Sequence, residues 1–525
     1  MTEGRAGRKE WIGLGVIALP CLLYSMDLTV LHLAVPQLSA DLAPSSAQLL
    51  WIIDIYGFLV AGSLITMGTL GDRIGRRRLL LIGAAAFGVA SVLAAFSTSA
   101  EMLIATRALL GLAGATVAPS TLSLIRNMFL DPEQRTVAVG VWITSYSVGA
   151  AIGPLIGGLL LQHFWWGSVF LISVPVMALL LLVGPVLLPE YRDPNAGRAD
   201  LVSAAMSLVA VLSVIFGLKQ LAQDGPGLVP AITIAVGVLM GGAFVRRQLA
   251  LADPLIDLRL FRIPAFTASL ATYGLGILVL FGGFLFLPQF LQLVRGLDPF
   301  QAGLWTVPWA LAFVIGSMLT PLAVRRVQAR RLMAAGLAVA SLGFLMLTRL
   351  DGDTGFAMFA VATFVFSLGF APVFTLTTDL IIGSAPAERA GAASAISETS
   401  AEFGGALGIA LFGSIGVAVY RGMMGDVIPA DVPREVAETA RATLGGAVAV
   451  AGELPDAVAV EVVTTARAAF LKALRICAAI SAVGSLGLAV FVMAGWRRGG
   501  AAEGRGTAER SAIKGEGSGA AASPG

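Results

Sequence analysis

Charged side chains are scarce in this chain, and their scarcity excludes an ordinary soluble protein. Asp, Glu, Lys and Arg make up 13% of its 525 residues, whereas a typical soluble domain carries roughly 25%. Hydrophobic residues make up 57% of the chain, and the mean hydropathy is +0.87. The missing charge therefore indicates that most of the chain lies in lipid.

Cysteines and the common catalytic motifs are also scarce. The 2 cysteines both fall in apolar runs, which indicates neither a disulfide framework nor a metal site. The sequence has no GxxxxGKS/T phosphate loop, no HExxH and no GxSxG with triad partners. We therefore expect neither an enzyme nor an ATP-driven pump, with no cofactor, no metal and no nucleic-acid partner.

Apolar runs long enough to cross a bilayer repeat along the whole chain. A hydrocarbon core about 30 Å thick requires roughly 20 residues per helix, whereas the strands of a membrane β-barrel are about 10 residues long and alternate in polarity. The pattern predicts an all-α polytopic membrane protein. Its 14 spanning helices are expected near residues 11–35, 48–70, 79–97, 101–125, 136–161, 165–188, 199–221, 228–245, 266–292, 301–324, 331–348, 355–382, 390–419 and 467–495.

Basic residues predict the orientation of these helices. Lys and Arg fall mainly in alternate links and in both tails, which indicates that both termini are cytoplasmic. The first apolar run, 11–35, is too long for a signal peptide and is interpreted as the first span. The long outer segment 420–466 is expected to contain a short amphipathic helix. Residues 497–525 are rich in Gly, Ala and Ser, which predicts a disordered tail.

A faint internal repeat divides the chain into two halves. The link at 317–331 parallels 63–78, but it lacks a counterpart of the pair Gly71–Asp72. We predict an N-terminal six-helix bundle (1–190), an inserted helix pair (199–247), a C-terminal six-helix bundle (264–496) and the tail (497–525). Parallel halves with a site at their interface are typical of alternating-access carriers.

Charges inside predicted spans are candidate functional residues, because each costs several kcal/mol at mid-bilayer. Asp27 lies in the outer half of the first helix and could exchange protons, although a purely structural carboxylate is the alternative. His32 is more often a packed histidine than a proton relay. Arg107 either extends to the membrane surface or pairs with a carboxylate such as Asp27, and both readings remain open.

The acids Glu398 and Glu402 share one face of the thirteenth helix. Two stacked acids in a low dielectric cannot easily both be ionised, so protons and a cationic substrate would compete for them. Solvated acids in a polar cleft are the alternative. Asp54 lies near Trp51 and Tyr56, which suits an organic cation, although an interfacial aromatic belt also places aromatics at this depth.

Glycines mark two places of close backbone approach. Residues 68–78 read GTLGDRIGRRR, a basic turn between two spans. Residues 149–158 read GAAIGPLIGG, in which Gly149, Gly153 and Gly157 form a smooth helix face and Pro154 is a kink site.

Four segments together resemble the 14-helix drug:proton antiporters of the major facilitator superfamily, which include quaternary-ammonium and antiseptic exporters. The segments are 26–36 (MDLTVLHLAVP), 68–78, 104–115 (IATRALLGLAGA) and 149–158. Residues 377–404 also resemble this subgroup. The resemblance implies the major facilitator fold, with two six-helix bundles plus two extra helices, in a protein that functions as a monomer in the lipid bilayer of the cytoplasmic membrane.

The resemblance also implies roles for individual residues. It assigns proton coupling to Asp27 and Arg107, and closure of a cytoplasmic gate to Gly71, Asp72, Arg73, Gly75 and Arg76. It implies that cationic substrates or protons meet Asp54, Tyr56, Trp142, Glu398, Glu402 and Asp379.

The predicted function is proton-coupled efflux of lipophilic, cationic drugs or metabolites. A dedicated exporter of one secondary metabolite is the first alternative, and a receptor or scaffold on the same fold is the second. Coupling to sodium instead of protons remains open.

Overall fold

The computed structural model describes residues 5–42, 44, 46–192, 200–251, 254–256, 258–351, 355–386, 389–425, 432 and 434–516. Within these ranges the regular structure is helical, without strands. Among them, 14 helices are long and apolar enough to cross a membrane. This confirms the predicted fold class and helix number, so the chain is a multi-pass membrane protein.

The fourteen helices follow the predicted order. The first six, here called the first half, are α1 (Arg8–Leu42), α2 (Ser46–Ile74), α3 (Arg76–Ala95), α4 (Ala100–Met128), α5 (Pro132–His163) and α6 (Ser168–Leu187). The inserted pair is α7 (Leu201–Asp224) and α8 (Leu228–Ala250). The second half is α9 (Pro264–Val294), α10 (Gln301–Val324), α11 (Ala329–Leu347), α12 (Phe356–Ser384), α13 (Ala390–Met424) and α14 (Asp456–Glu516).

Several helices begin at an aspartate that caps their free N–H groups. Asp131 precedes α5 and accepts from the amides of Glu133 at 2.8 Å and Gln134 at 3.2 Å. These bonds, the Gln134 amide first, hold the pKa of Asp131 below its usual range. Asp200 caps α7 and Asp298 caps the start of α10 in the same way. The caps fix where each helix starts, because they satisfy donors that have no partner within the helix.

The helices of each half pack into a bundle, and the inserted pair docks between the bundles. In the first half α1 lies along α5 and α2 along α4, while in the second half α11 packs against α12 and α14. The halves meet where α2 contacts α13 and where α5 contacts α10. Helix α7 packs against α8 and also against α2 and α13. The inserted pair therefore borders both halves.

The segment between α13 and α14 contains two short helices, Arg434–Ala442 and Leu444–Val450. In the first, Ala437 and Ala440 are buried, while Arg434 and Glu438 are exposed and form an ion pair at 2.7 Å. The predicted amphipathic helix is therefore present.

Helix α14 differs from the sequence prediction at its end. It continues to Glu516, so residues 497–516, predicted to be disordered, are helical. Alanine favours helix and no proline interrupts the stretch from 456 to 516. Residues 517–525 of the predicted tail lie outside the described residues.

Candidate functional site

Two acids of α13 lie in the interior of the helix bundle. Glu398 and Glu402 are four residues apart, so they lie one above the other on the same helix face. Glu398 Oε1 is buried and has no hydrogen-bond partner among the described residues. A buried carboxylate oxygen without a donor indicates a site that a cation or a proton can complete.

Four tyrosines lie within electrostatic range of these acids. The chain has 6 tyrosines, and four of them interact electrostatically with one or both acids. We call this group the tyrosine chamber: Tyr24, Tyr56, Tyr146 and Tyr273, with Glu398 and Glu402. The ring centroids of Tyr24 and Tyr146 are 5.6 Å apart, and those of Tyr24 and Tyr56 are 6.0 Å apart. The sequence did not point to Tyr24 or Tyr273, although the scarcity of tyrosine in this chain could have done so.

Trp142 adds a further aromatic surface to the chamber. Its ring centroid is 4.7 Å from that of Tyr146, and its Nε1 donates to Thr121 Oγ1 at 2.9 Å. The side chain is buried, with 3% exposed. Because its one polar atom is already bonded, Trp142 presents mainly an apolar ring.

A buried ion pair adjoins the chamber. Arg107 Nη1 donates to Asp27 Oδ2 at 2.5 Å, and Arg107 Nε donates to the carbonyl of Ile52 at 3.2 Å. The guanidinium also lies 4.6 Å from the centroid of the Tyr56 ring. The Arg107 side chain is only 1% exposed. The alternative in which it extends to the membrane surface is therefore wrong.

The glycine face of α5 holds the helix segment that carries Asp27. A Cβ at Gly149 would overlap the carbonyl oxygen of Leu22, and a Cβ at Gly157 would lie 2.7 Å from Val30 Cγ1. Asp27 lies between these two contact points on α1. Gly153, midway along the same face, is buried. The side chain of Pro154, like that of His32, lies outside the described residues.

The turn between α2 and α3 makes room for a buried arginine. Gly75 has a φ of 112°, which only glycine adopts readily. A Cβ at Gly71 would lie 2.6 Å from Arg76 Nη1. Arg76 is fully buried, donates to the carbonyl of Gly68 at 2.6 Å and pairs with Asp72. The glycines of this motif therefore create the space that the guanidinium fills.

Asp72 connects this turn to the other half. Its Oδ2 accepts from the amide of Ala392 at 3.1 Å, in the first turn of α13, where free N–H groups attract a carboxylate. A Cβ at Gly391 would overlap the guanidinium of Arg76. Arg73 lies half-buried in the last turn of α2. We call the contact of Asp72 and Arg76 with the first turn of α13 the latch, and the end of the bundle that carries it the basic end.

A second polar contact joins α12 to α5. Asp379 accepts from Arg135 Nε at 2.6 Å and from Thr136 Oγ1 at 2.8 Å. Asp379 was predicted to meet substrate; in this structure both of its oxygens are bonded within the contact between the halves, and its substrate role stays a prediction. Sequence reasoning missed Arg135, because it was counted as a link charge.

Glu133, beside this contact, forms an ion pair at 2.9 Å with Arg325, which lies in the repeated link at 317–331. Both side chains are about half exposed, 54% and 49%. An exposed pair of this kind is worth less than about 1 kcal/mol. It therefore marks the proximity of α5 and α10 more than it holds them together.

Asp54 forms an ion pair with the inserted helix pair. Its Oδ1 lies 2.5 Å from Lys219 Nζ of α7, which is also 4.6 Å from the centroid of the Phe58 ring. Trp51 is 44% exposed and contacts Phe58 edge-on, as expected of an interfacial aromatic. Sequence reasoning missed Lys219, although it lies within the apolar run of a spanning helix.

Two bundles of apolar helices, buried charges between them and polar contacts at one end are the features of a membrane transporter. Residues 17–409 match the profile described as Major Facilitator Superfamily, and the chain belongs to that superfamily. The recognition made from its motifs is thereby confirmed.

Similar proteins include efflux and resistance proteins. The chain is 43% identical over 494 residues to the multidrug efflux pump LfrA of Mycolicibacterium smegmatis, which covers 94% of this chain and 98% of that protein. It is 38% identical to the methyl viologen resistance protein SmvA of Salmonella typhimurium, over 91% of this chain and 96% of that protein. It is 32% identical to the tetracenomycin C resistance and export protein of Streptomyces glaucescens, over 86% and 85%.

A solved structure shows the same fold. The human organic anion transporter MFSD10 (TETRAN) superposes with a TM-score of 0.60 at 14% identity, covering 92% of this chain and 99% of that protein. At this identity the likeness concerns the fold alone. Family and fold together make the protein a membrane transporter, and its relatives are efflux proteins.

Proposed function

We propose that the protein is a proton-coupled antiporter that exports lipophilic cations from the cytoplasm across the cytoplasmic membrane. In this proposal the basic end and both termini are cytoplasmic, and a single chain is the working unit. The observation that carries the proposal is the pair Glu398 and Glu402 in a tyrosine chamber, next to a buried Asp–Arg pair.

The chamber has the chemistry that recognises an organic cation. An aromatic face attracts a cation by about 0.5–1 kcal/mol at an exposed site and by about 2 kcal/mol where water is excluded. The two acids of α13 need a positive charge close by if both are ionised, and the unbonded oxygen of Glu398 is available to it. A substrate cation and a proton both satisfy this need, so binding one displaces the other. This competition is the physical basis of antiport.

The pair Asp27 and Arg107 supplies the coupling step. In the structure Asp27 is bonded to Arg107, an arrangement that suits an ionised carboxylate. A proton on Asp27 removes the charge of the acid, while the Ile52 carbonyl and the Tyr56 ring still hold the guanidinium. Because Tyr56 belongs to the chamber, the change at Asp27 reaches the substrate site through one side chain.

The glycine face of α5 can transmit a movement of α1, caused by protonation of Asp27, to α5. On either side of Asp27, Gly149 packs against the backbone of α1 at Leu22 and Gly157 packs against the side chain of Val30. A shift of α1 that follows protonation is therefore transmitted directly to α5. Helix α5 also bonds Asp379 of the second half, so the shift reaches the contact that closes the basic end.

The structure is closed at the basic end. Asp72 is bonded to the first turn of α13, and Asp379 is bonded to Arg135 and Thr136. In an alternating-access cycle this arrangement belongs to the states that are closed to the cytoplasm, in which the tyrosine chamber is occluded or faces outward. Opening to the cytoplasm requires both contacts to break.

Transport in proteoliposomes tests the proposal. An imposed ΔpH should drive ethidium transport by the full-length protein, whereas an imposed sodium gradient should drive none. Asp27→Asn should abolish the ΔpH-driven flux. Glu398→Gln should lower transport of the dication methyl viologen more than that of the monocation ethidium. Ethidium flux that follows sodium, or that is unchanged in Asp27→Asn, would contradict the proposed coupling.

A dedicated exporter of one secondary metabolite is the second candidate function. The similarity to the tetracenomycin C resistance and export protein, at 32% identity, favours it. Competition assays separate the two functions. A broad exporter should have its ethidium transport inhibited by many unrelated lipophilic cations, whereas a dedicated exporter should respond to one chemical scaffold.

A further inference from the structure

We propose that Lys219 is a tethered cation that occupies the Asp54 carboxylate when no substrate is bound, so that cationic substrates must displace it. The inserted helix pair would then take part in substrate selection by competing for an acid of the binding site. This inference rests on the proposed export of cations and extends their binding site from the tyrosine chamber to Asp54.

Lys219 already makes the contacts that an organic cation would make. Its ammonium lies 2.5 Å from Asp54 Oδ1 and 4.6 Å from the centroid of Phe58. A carboxylate and an aromatic face are the two groups that recognise a substrate cation. In the structure both are occupied by a side chain of the protein itself.

Packing of α7 fixes the position from which Lys219 reaches this acid. A Cβ at Gly62 of α2 would lie 2.7 Å from Leu208 of α7, so the two helices are in close contact there. A small separate apolar cluster then joins α2, α7 and α13. Its members are Phe58, Ala61, Val211, Ile215, Leu212, Phe216, Phe403 and Ala406. Lys219 lies one turn beyond this cluster along α7 and is held at the junction of the two halves.

The second acid that Lys219 influences belongs to the tyrosine chamber. Glu402 lies next to Phe403, the α13 member of the cluster, and interacts electrostatically with Lys219. One ammonium therefore acts on Asp54 of the first half and on Glu402 of the second. Displacing it changes the charge balance on both sides of the interface between the halves.

Exposure indicates that the Lys219 pair can be displaced. The side chains of Lys219 and Asp54 are 36% and 24% exposed, whereas those of Arg107 and Asp27 are 1% and 14% exposed. Lysine also has a flexible four-carbon chain, which lets the ammonium withdraw without movement of the helix. The buried Arg107 pair lacks both properties. Of these two pairs, the Lys219 pair is therefore the one suited to exchange with a ligand.

Ethidium binding to the purified full-length protein, followed by fluorescence anisotropy, tests this inference. Removal of the competing charge in Lys219→Gln should tighten ethidium binding about tenfold, which corresponds to 1.4 kcal/mol. Lys219→Arg keeps the positive charge and should bind ethidium no more tightly than the unmodified protein. In an Asp54→Asn background, Lys219→Gln should tighten binding less than it does with Asp54 present, because only the interaction of Lys219 with Glu402 remains. Binding of the neutral probe N-phenyl-1-naphthylamine should be the same in all of these variants.

Two controls separate competition from structural support. Lys472→Gln removes the same charge from an exposed position on α14 and should leave ethidium affinity unchanged. Lys219→Cys should bind ethidium as tightly as Lys219→Gln. Modification of this cysteine with 2-aminoethyl methanethiosulfonate restores an ammonium and should return the affinity to the original value, whereas methyl methanethiosulfonate should not. Selective labelling is feasible because Cys21 and Cys477 are buried.

The outcomes distinguish this inference from the proposed function. The tethered-cation inference is overturned if the unmodified protein binds ethidium and Lys219→Gln binds it no more tightly. It is also overturned if Lys219→Gln binds both probes more weakly, because Lys219 then has a structural role. If the unmodified protein binds neither ethidium nor methyl viologen, both the proposed function and this inference are contradicted.

Discussion

Gly68 is the position where a single methyl group should separate the two halves at the basic end. A Cβ there would lie 2.6 Å from the carbonyl oxygen of Gly391 and 2.5 Å from the Cβ of Ala395, both on α13. Ordinary contact begins near 3.4 Å. Since backbone cannot yield as a flexible side chain does, Gly68→Ala should push α2 and α13 apart by ~0.8 Å. The latch lies within one turn of this contact.

The energetic cost can be bounded from overpacking in protein interiors. Extra methyl groups in well-packed regions cost typically about 1–3 kcal/mol. That cost falls only on conformations in which the basic end is closed. The equilibrium should therefore shift toward opening at this end by about 5- to 150-fold.

Accessibility of a buried reporter measures the shift. Ser394 of α13 is fully buried at this contact, so Ser394→Cys should react slowly with a membrane-impermeant maleimide in inside-out vesicles. Adding Gly68→Ala should raise the rate by the factor given above. Gly57→Ala, on the same helix with nothing within 4 Å of its Cβ, is the matched control and should leave the rate unchanged. Equal labelling rates in the two alanine variants would refute the reasoning.

Three further predictions concern other contacts. Asp379→Asn leaves Arg135 without its charge partner and should destabilise the basic-end-closed state by about 3–5 kcal/mol, measured as faster labelling of the same reporter cysteine. Gly149→Ala should overlap the backbone of α1 and abolish ΔpH-driven ethidium flux, whereas Gly158→Ala, with nothing within 4 Å, should retain it. The Ser203 hydroxyl and amide, with Arg247, hold the pKa of Asp200 below its usual range, so its ionised form contributes stability above about pH 4. The difference in Tm between the unmodified protein and Asp200→Asn should therefore be constant from pH 7 to about pH 4 and shrink at lower pH, as the folded-state carboxylate gains its proton; a difference that grows on acidification would contradict this assignment.

The fold and the turn that carries the latch could be predicted from the sequence because their signals are local. Spans follow from apolar runs, and the glycines and Asp72 of the basic turn stand together within a few residues. The spacing of Glu398 and Glu402 likewise places both acids on one face without any knowledge of tertiary structure. Such features depend on helix geometry alone.

The partners of the charged residues could not be predicted in the same way. Asp54 and Lys219 are 165 residues apart, and Arg135 and Asp379 are 244 residues apart. Nothing local in the sequence indicates which helices become neighbours, so neither Lys219 nor Arg135 could be assigned to its acid. The role of Lys219 depends on where the inserted pair docks, which the hydrophobic pattern leaves undetermined.

Asp72 of α2 bonds to Ala392 of α13, less than two turns before Glu398 on the same helix. The six residue steps from Ala392 to Glu398 span only about 9 Å of helix, so a displacement at one position is transmitted to the other. Binding at Glu398 and Glu402 and release of the latch are therefore coupled through one segment of α13. Under the proposed coupling, the bond between Asp72 and Ala392 would also oppose a proton leak without substrate, and no separate sensor of substrate binding is required.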